Sequence, residues 1–287
     1  MSSLEQVRVG LGRSVRRFLS GQDRPPADRF PADPDDPGLF PLDGVTRRIH
    51  GDLSMVVGGL RAVLIQTLHP LAMAGVAEHS DYHDDPWGRL HRTGRFLGET
   101  TFGSRRQAEA AIDRVHRIHA KVRGVAADGR SYSAADPELV LWVHATEVHS
   151  FLVAYERHGR LSLGPGDDDA YVEEMAALGE RMGAVDPPRS RAELRAYFER
   201  VRPELGATDQ ARDAVRFLLW PPVSPAVRPA YMVVNAAAVG LLPGFARREL
   251  LLALPPATEP LVVRPATTVL LRLLGWTLAP PESASRG

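Results

Sequence analysis

Apolar positions recur at helical spacing along most of this chain. From Leu53 to Leu68 they nearly fill the helix circumference: Met55, Val56, Val57, Leu60, Val63, Leu64, Ile65 and Leu68. A helix apolar on most sides is a central, buried one. Pro70 follows His69 and disfavours helical geometry at that junction. "LAMAGVAEHS" then reads as a short helix and "DYHDDPWG" as a turn. "RLHRTGRFLGETTFG" is helical from about Arg89 and fades near Gly103, with Trp87, Leu90, Phe96 and Leu97 expected to anchor it to the core. The clearest signal is "SRRQAEAAIDRVHRIHAKVRG". Ser104 and Gln107 have capping-box spacing and Gly124 suits an end, which predicts a helix over 105–123. Its stripe is Ala108, Ala111, Ile112, Val115, Ile118 and Val122. The next helix has Asp136 as cap and Pro137 at its first position, and runs to about His158. Five further segments, from "DDDAYVEEMAALGERMG" to "PATTVLLRLLGW", are also helical. No run alternates between hairpin turns, so no strand is predicted, and no repeat recurs at a fixed period. The reading is a single all-α domain over 45–280. An amphipathic segment and a Pro-, Asp- and Gly-rich loop precede it over 1–44, and 281–287 form a flexible tail.

Composition narrows the function. Lys plus Arg and Asp plus Glu number 35 each, for a formal net charge of zero. That balance gives no electrostatic footprint for nucleic acid. There are no cysteines, which removes disulfides, thiolate ligands and cysteine nucleophiles. Any metal must be held by His, Asp, Glu or Tyr. The absence fits a cytoplasmic location. The N-terminus has no apolar run of signal-peptide length. Leu4, Val7, Val9, Leu11, Val15, Phe18 and Leu19 alternate there with Arg8, Arg13, Arg16 and Arg17, a pattern for surface packing or, as the minority reading, peripheral membrane contact.

Histidine is concentrated: nine of the ten lie between His69 and His158. His116 and His119 stand at i and i+3 on one broad face of a predicted helix. Spacing leaves two readings open, a metal-holding pair or core histidines bonded to carbonyls. His119 flanks Val115 and Val122 and should point partly into the core; His116 should sit at the border. His144 and Glu147 stand in the order His-x-x-Glu on the next helix. No Glu-x-x-His pair accompanies them as in dinuclear carboxylate sites. The zinc-hydrolase, nucleophile-elbow, P-loop and dinucleotide fingerprints are absent. Arg89, Arg92 and Thr93 form R-x-x-R-T, with both arginines on one face.

The ordered series "QTLHP", "GVAEHSDYHDDPWGRLHRT", "TFG", H-x-x-H-x-x-V-x-G, Y-x-x-x-D-P-x-L and "WVHAT" resembles the catalytic domain shared by MpaB-type oxygenases and bacterial rubber oxygenases (latex clearing proteins). The likeness runs from about Ile65 to His158 and continues loosely through "LLWPP" and "LLPGFARRELL". It implies a loosely globin-like helical bundle binding haem b, and an oxidoreductase that uses dioxygen on a small apolar substrate of isoprenoid or terpenoid type. His119 would be the proximal iron ligand, His116 a supporting residue and His144 part of the pocket lining. Arg89 and Thr93 match the R-x-x-K-T element of rubber oxygenases on the distal side. The lysine position of that element is Arg92 here. An arginine does not lose its proton to ligate iron, so a lysine-type distal ligand should be missing. Arg92 would instead pair with a haem propionate or an oxygen-derived anion. Glu78 and His79 are the nearest candidates for proton transfer. Two other classes compete: a helical haem or hydrophobic-ligand binder without turnover, and a non-haem metal enzyme using His116, His119, His144 and Glu147.

Overall fold

The computed structural model describes residues 3–21, 30, 35–36, 38–80, 84–255 and 257–279. Most of the predicted Pro-rich loop, the first three residues of the "DYHDDPWG" turn and the whole 281–287 tail lie outside them. Among the described residues the chain forms thirteen α-helices and one short hairpin. In order these are α1 (Ser3–Ser20), α2 (Val45–His50), α3 (Met55–Gln66), α4 (Pro70–His79), α5 (Pro86–Phe102), α6 (Arg105–His119), β1 (Arg123–Val125), β2 (Ser131–Ser133), α7 (Pro137–His158), α8 (Asp167–Met182), α9 (Arg191–Val201), α10 (Asp209–Leu219), α11 (Arg228–Gly240), α12 (Gly244–Glu249) and α13 (Arg264–Leu278).

The centre is α3 packed along α7, as the all-round apolar pattern of α3 requires. The two backbones approach closely at Gly58. A Cβ there would stand 3.0 Å from Phe151 Cδ1 and 3.1 Å from the Ser150 carbonyl. One turn on, the fully buried Arg61 ties three elements together. Its Nε donates to the Leu241 carbonyl at 2.9 Å, one Nη to Ser150 Oγ at 2.6 Å and the other to His149 Nδ1 at 3.2 Å. Burial lowers the Arg61 pKa to about 9. Trp142, also fully buried, donates to the Gln66 carbonyl at 3.3 Å. Around this pair stand α8, α11 and α13. α5 and α6 pack on one another, and α5 also meets α1 and α2.

Several local expectations change. Pro70 opens α4 instead of ending the preceding turn, because its missing N–H costs nothing at a first position and the His69 ring accepts from Ala72 N. α5 begins three residues early, at Pro86, capped by Asp85. α6 has the expected capping box but ends at His119. Lys121 N and Val122 N bond back only three residues, to Ile118 and His119, and this tight turn delivers the chain into a hairpin. The absence of strands is therefore corrected: Gly124 pairs with Tyr132 in an antiparallel ladder. Each strand has three residues, too few to show alternation. Gly124 belongs there because a Cβ would come within 2.5 Å of the Tyr132 hydroxyl. Leu90 and Ile118, expected in the core, are exposed. The N-terminal segment is a helix docked on the last one: Gly12 meets the Thr277 carbonyl, and Arg8 donates to the carbonyls of Trp276 and Ala279 at 3.1 and 2.7 Å.

The interior holds neutral histidines. His50 lies between Thr101 Oγ1 at 2.8 Å and the Tyr171 hydroxyl at 3.0 Å, and burial lowers its pKa to about 3. Burial lowers His144 and His158 to about 4, and burial with the nearby Arg61 charge lowers His149 to about 3.

Two outcomes are expected. Arg61→Ala strands the Ser150, His149 and Leu241 acceptors and leaves a void, so chemical denaturation should show a loss of about 2–4 kcal/mol. The buried histidines bind protons more weakly folded than unfolded, where the pKa is 6.5. Their stabilisation is complete above that pH and is lost as pH falls toward 3–4, by about 1.4 kcal/mol per pH unit for each ring that would titrate. The urea midpoint should drop steeply between pH 6.5 and 4.5 and less so in His144→Gln; a flat wild-type profile would contradict this.

Candidate functional site

His119 is the last residue of α6 and continues its inward stripe of Ala108, Ala111, Ile112 and Val115. Its ring is half-buried, while His116, one turn earlier, is exposed. Burial first, and the neighbouring His116 second, hold the His119 pKa below the ordinary value. The ring is thus neutral at neutral pH, the form with a free lone pair for a metal. No hydrogen bond to it is made among the described residues. α6 packs on α5 and touches α8, but approaches neither α3 nor α7 closely.

On α7 the ring of His144 packs against the backbone of α8. A Cβ at Gly179 would lie 2.8 Å from its Nε2. His144 is therefore a buried interface residue between these helices. One turn on, Glu147 is partly accessible, as are Gln66 of α3 and Val143, although Trp142, His144 and Ala145 beside them are buried. Burial raises the Glu147 pKa to about 7, and Gln66 opposes the rise. Glu147 in turn helps burial push the Tyr171 hydroxyl well above its usual range. Glu147 is a lone acid within the apolar run "LVLWVHATEVHSFLVAY", a signal legible in the sequence. Its shifted titration and the His50–Thr101–Tyr171 chain were not legible, because both depend on residues far apart in sequence.

The R-x-x-R-T element divides. Arg89 is half-buried and donates to Ser80 Oγ at 2.8 Å, at the end of α4. That contact places it near Glu78, which accepts from the Tyr132 hydroxyl, and near His79, whose ring meets Tyr132 edge-on at 6.2 Å. Arg92 is exposed and pairs with the helix cap Asp85 at 3.1 Å. Thr93 is exposed. An open hollow of about 410 Å³ lies on the other flank of α6, lined by His79, Arg114, Arg117, Ile118, Lys121 and Val122. Among the described residues no three His, Asp or Glu side chains converge to hold a bare metal ion. The set His116, His119, His144 and Glu147 does not assemble as one.

Two uncharacterised mycobacterial proteins, one of Mycobacterium bovis and one of Mycobacterium tuberculosis, are each 29% identical to this chain over 177 residues, which takes in 55% of it and 67% of the relative. No solved structure matches the chain. Residues 47–278 match the family described as ER-bound oxygenase mpaB/B'/rubber oxygenase, catalytic domain, a span that takes in α3 to α13 and every site residue above. The chain belongs to this oxygenase family.

Proposed function

We propose that this protein is a haem-dependent oxidoreductase that uses dioxygen on a small apolar substrate of isoprenoid or terpenoid type. The observation that carries the reading is His119: a neutral, half-buried imidazole on the inward flank of α6, with no hydrogen-bond partner among the described residues. The donor set fits haem better than a bare ion. A porphyrin brings four of its own ligands and needs one imidazole from the protein, whereas a bare ion needs several converging side chains. Haem b in this setting would supply dioxygen binding and the oxidising chemistry.

The chain's own residues prepare the site. His119 would hold the iron, and its depressed pKa keeps the lone pair available at neutral pH. His116 stays in solvent and discourages protonation of its neighbour. Arg89, steadied by Ser80, sets a positive charge at the end of α4. Gln66 of α3 donates to the Val143 carbonyl of α7 at 3.5 Å. Glu147 beside them holds or releases a proton near neutral pH, the range that suits general acid–base work. Arg92, paired with Asp85, offers no amine in place of the family lysine.

Protein made with haem supply should be red with a Soret band, His119→Ala should lose the band, and His116→Ala should keep it. Colourless protein, or a His119→Ala variant with an unchanged spectrum, would sink the haem reading. Oxygen uptake with a terpenoid panel separates an oxygenase from a binder without turnover. For Glu147 the sign is the reverse of the histidines. Between pH 4.5 and about 7 the folded state keeps the proton that the unfolded chain releases, so this group's contribution falls as pH rises. Glu147→Gln should raise the thermal midpoint at pH 8 and leave it unchanged at pH 4.5; equal effects at both would contradict the burial of this acid.

A further inference from the structure

The segment Glu259–Val263 is a π-helical turn that runs directly into α13, making one helix of 20 residues to Leu278. Val263, Thr267 and Leu271 form its buried side against the body of the protein, where α1 and α11 pack. The opposite side is bare. Leu261 is 73% exposed, Val262 60%, Val269 57%, Leu273 57% and Trp276 53%. Val262, Val269, Leu273 and Trp276 stand at i, i+7, i+11 and i+14, a single stripe on a helix. Single exposed apolar residues are ordinary on a protein surface, but a contiguous row of this length marks an interaction face.

Charge on this helix and the adjoining α1 is mainly positive. The helix has one acid, Glu259 at its first position, which pairs with Arg157; Arg272 is exposed beside the stripe, and Arg264 is exposed further round the helix. On α1 beside it the one acid, Glu5, pairs with Arg8, and Arg13 is exposed. Arg13, Arg264 and Arg272 make no ion pair among the described residues. A chain of zero net charge thus carries an excess of cations on the two helices that include its barest apolar stripe. We infer that the exposed face of α13, with the adjoining arginines of α1, is a docking surface for an anionic phospholipid bilayer, on which the protein lies with α13 in the plane of the interface.

The geometry favours lying on the membrane over crossing it. Twenty helical residues reach about 30 Å, the thickness of a hydrocarbon core. Yet Arg272 flanks the middle of the segment, and a charge at that depth is costly. The buried side of the helix is also held by α1, whose Arg8 bonds the Trp276 and Ala279 carbonyls. In the plane, the stripe enters the acyl boundary, Trp276 sits at headgroup level and the arginines meet lipid phosphates. A second copy of this chain is a poorer partner, because self-docking would set arginine against arginine. The surface is independent of the haem reading, and its test needs no activity.

The test is flotation of the full chain with vesicles of phosphatidylcholine alone or mixed with phosphatidylglycerol. Binding is expected on the mixed vesicles, weakening with salt and at least tenfold lower on phosphatidylcholine alone. Val269→Glu with Leu273→Glu should abolish it without changing the circular dichroism. Arg13→Glu with Arg272→Glu should reduce it about tenfold and provides a second readout if the first variant misfolds. The inference is overturned if the wild type ignores mixed vesicles, if either double variant binds undiminished, or if light scattering shows a dimer that Val269→Glu with Leu273→Glu makes monomeric.

Discussion

Close contact between α3 and α7 sets the arrangement of everything else. Gly58 lets the two backbones approach at a distance no side chain would allow, and Arg61 then reaches across to Ser150, His149 and Leu241. An arginine buried without a carboxylate bonded to it is costly to desolvate, so its three acceptors must be in place together. That requirement locks α3, α7 and the end of α11 into one register. With these helices fixed, α8 can press Gly179 against His144. α6 is held elsewhere, on α5, and packs closely on neither α3 nor α7.

The same packing sorts the titratable groups. His50, His144 and His149 are desolvated and kept neutral, while Glu147, desolvated as well though partly accessible, is pushed toward holding its proton. Desolvation acts against charge of either sign, so one cause gives opposite pKa directions for base and acid. An interior so poor in charge suits an apolar substrate. The arginines are largely spent at the periphery: Arg92 on Asp85, Arg114 on Glu99, Arg189 and Arg191 on carboxylates of α7 and α8. Along α13 that pairing stops. The last helix keeps its apolar stripe and its cations in solvent, which separates a surface for association from the interior that carries the chemistry.

Much of the helical framework was legible from the sequence by itself. The capping box at Ser104 and Gln107, the Asp136–Pro137 start and the Gly159 stop of α7 are carried by residues within one turn of each other. So is the inward aspect of His119, which follows from its spacing to Val115. Motif order likewise pointed to the family to which the chain belongs. Local periodicity reports such features because helices are built from contacts three and four residues apart. Tertiary structure alone decided the rest. The hairpin exists because Gly124 fits against Tyr132 and Glu78, Leu90 and Ile118 are exposed, and Arg89 and Arg92 differ because one bonds Ser80 and the other Asp85. The near-neutral titration of Glu147 and the bare side of α13 have the same origin. Each depends on which distant segments arrive beside a residue, and burial, pairing and desolvation are set by those arrivals and not by sequence neighbours.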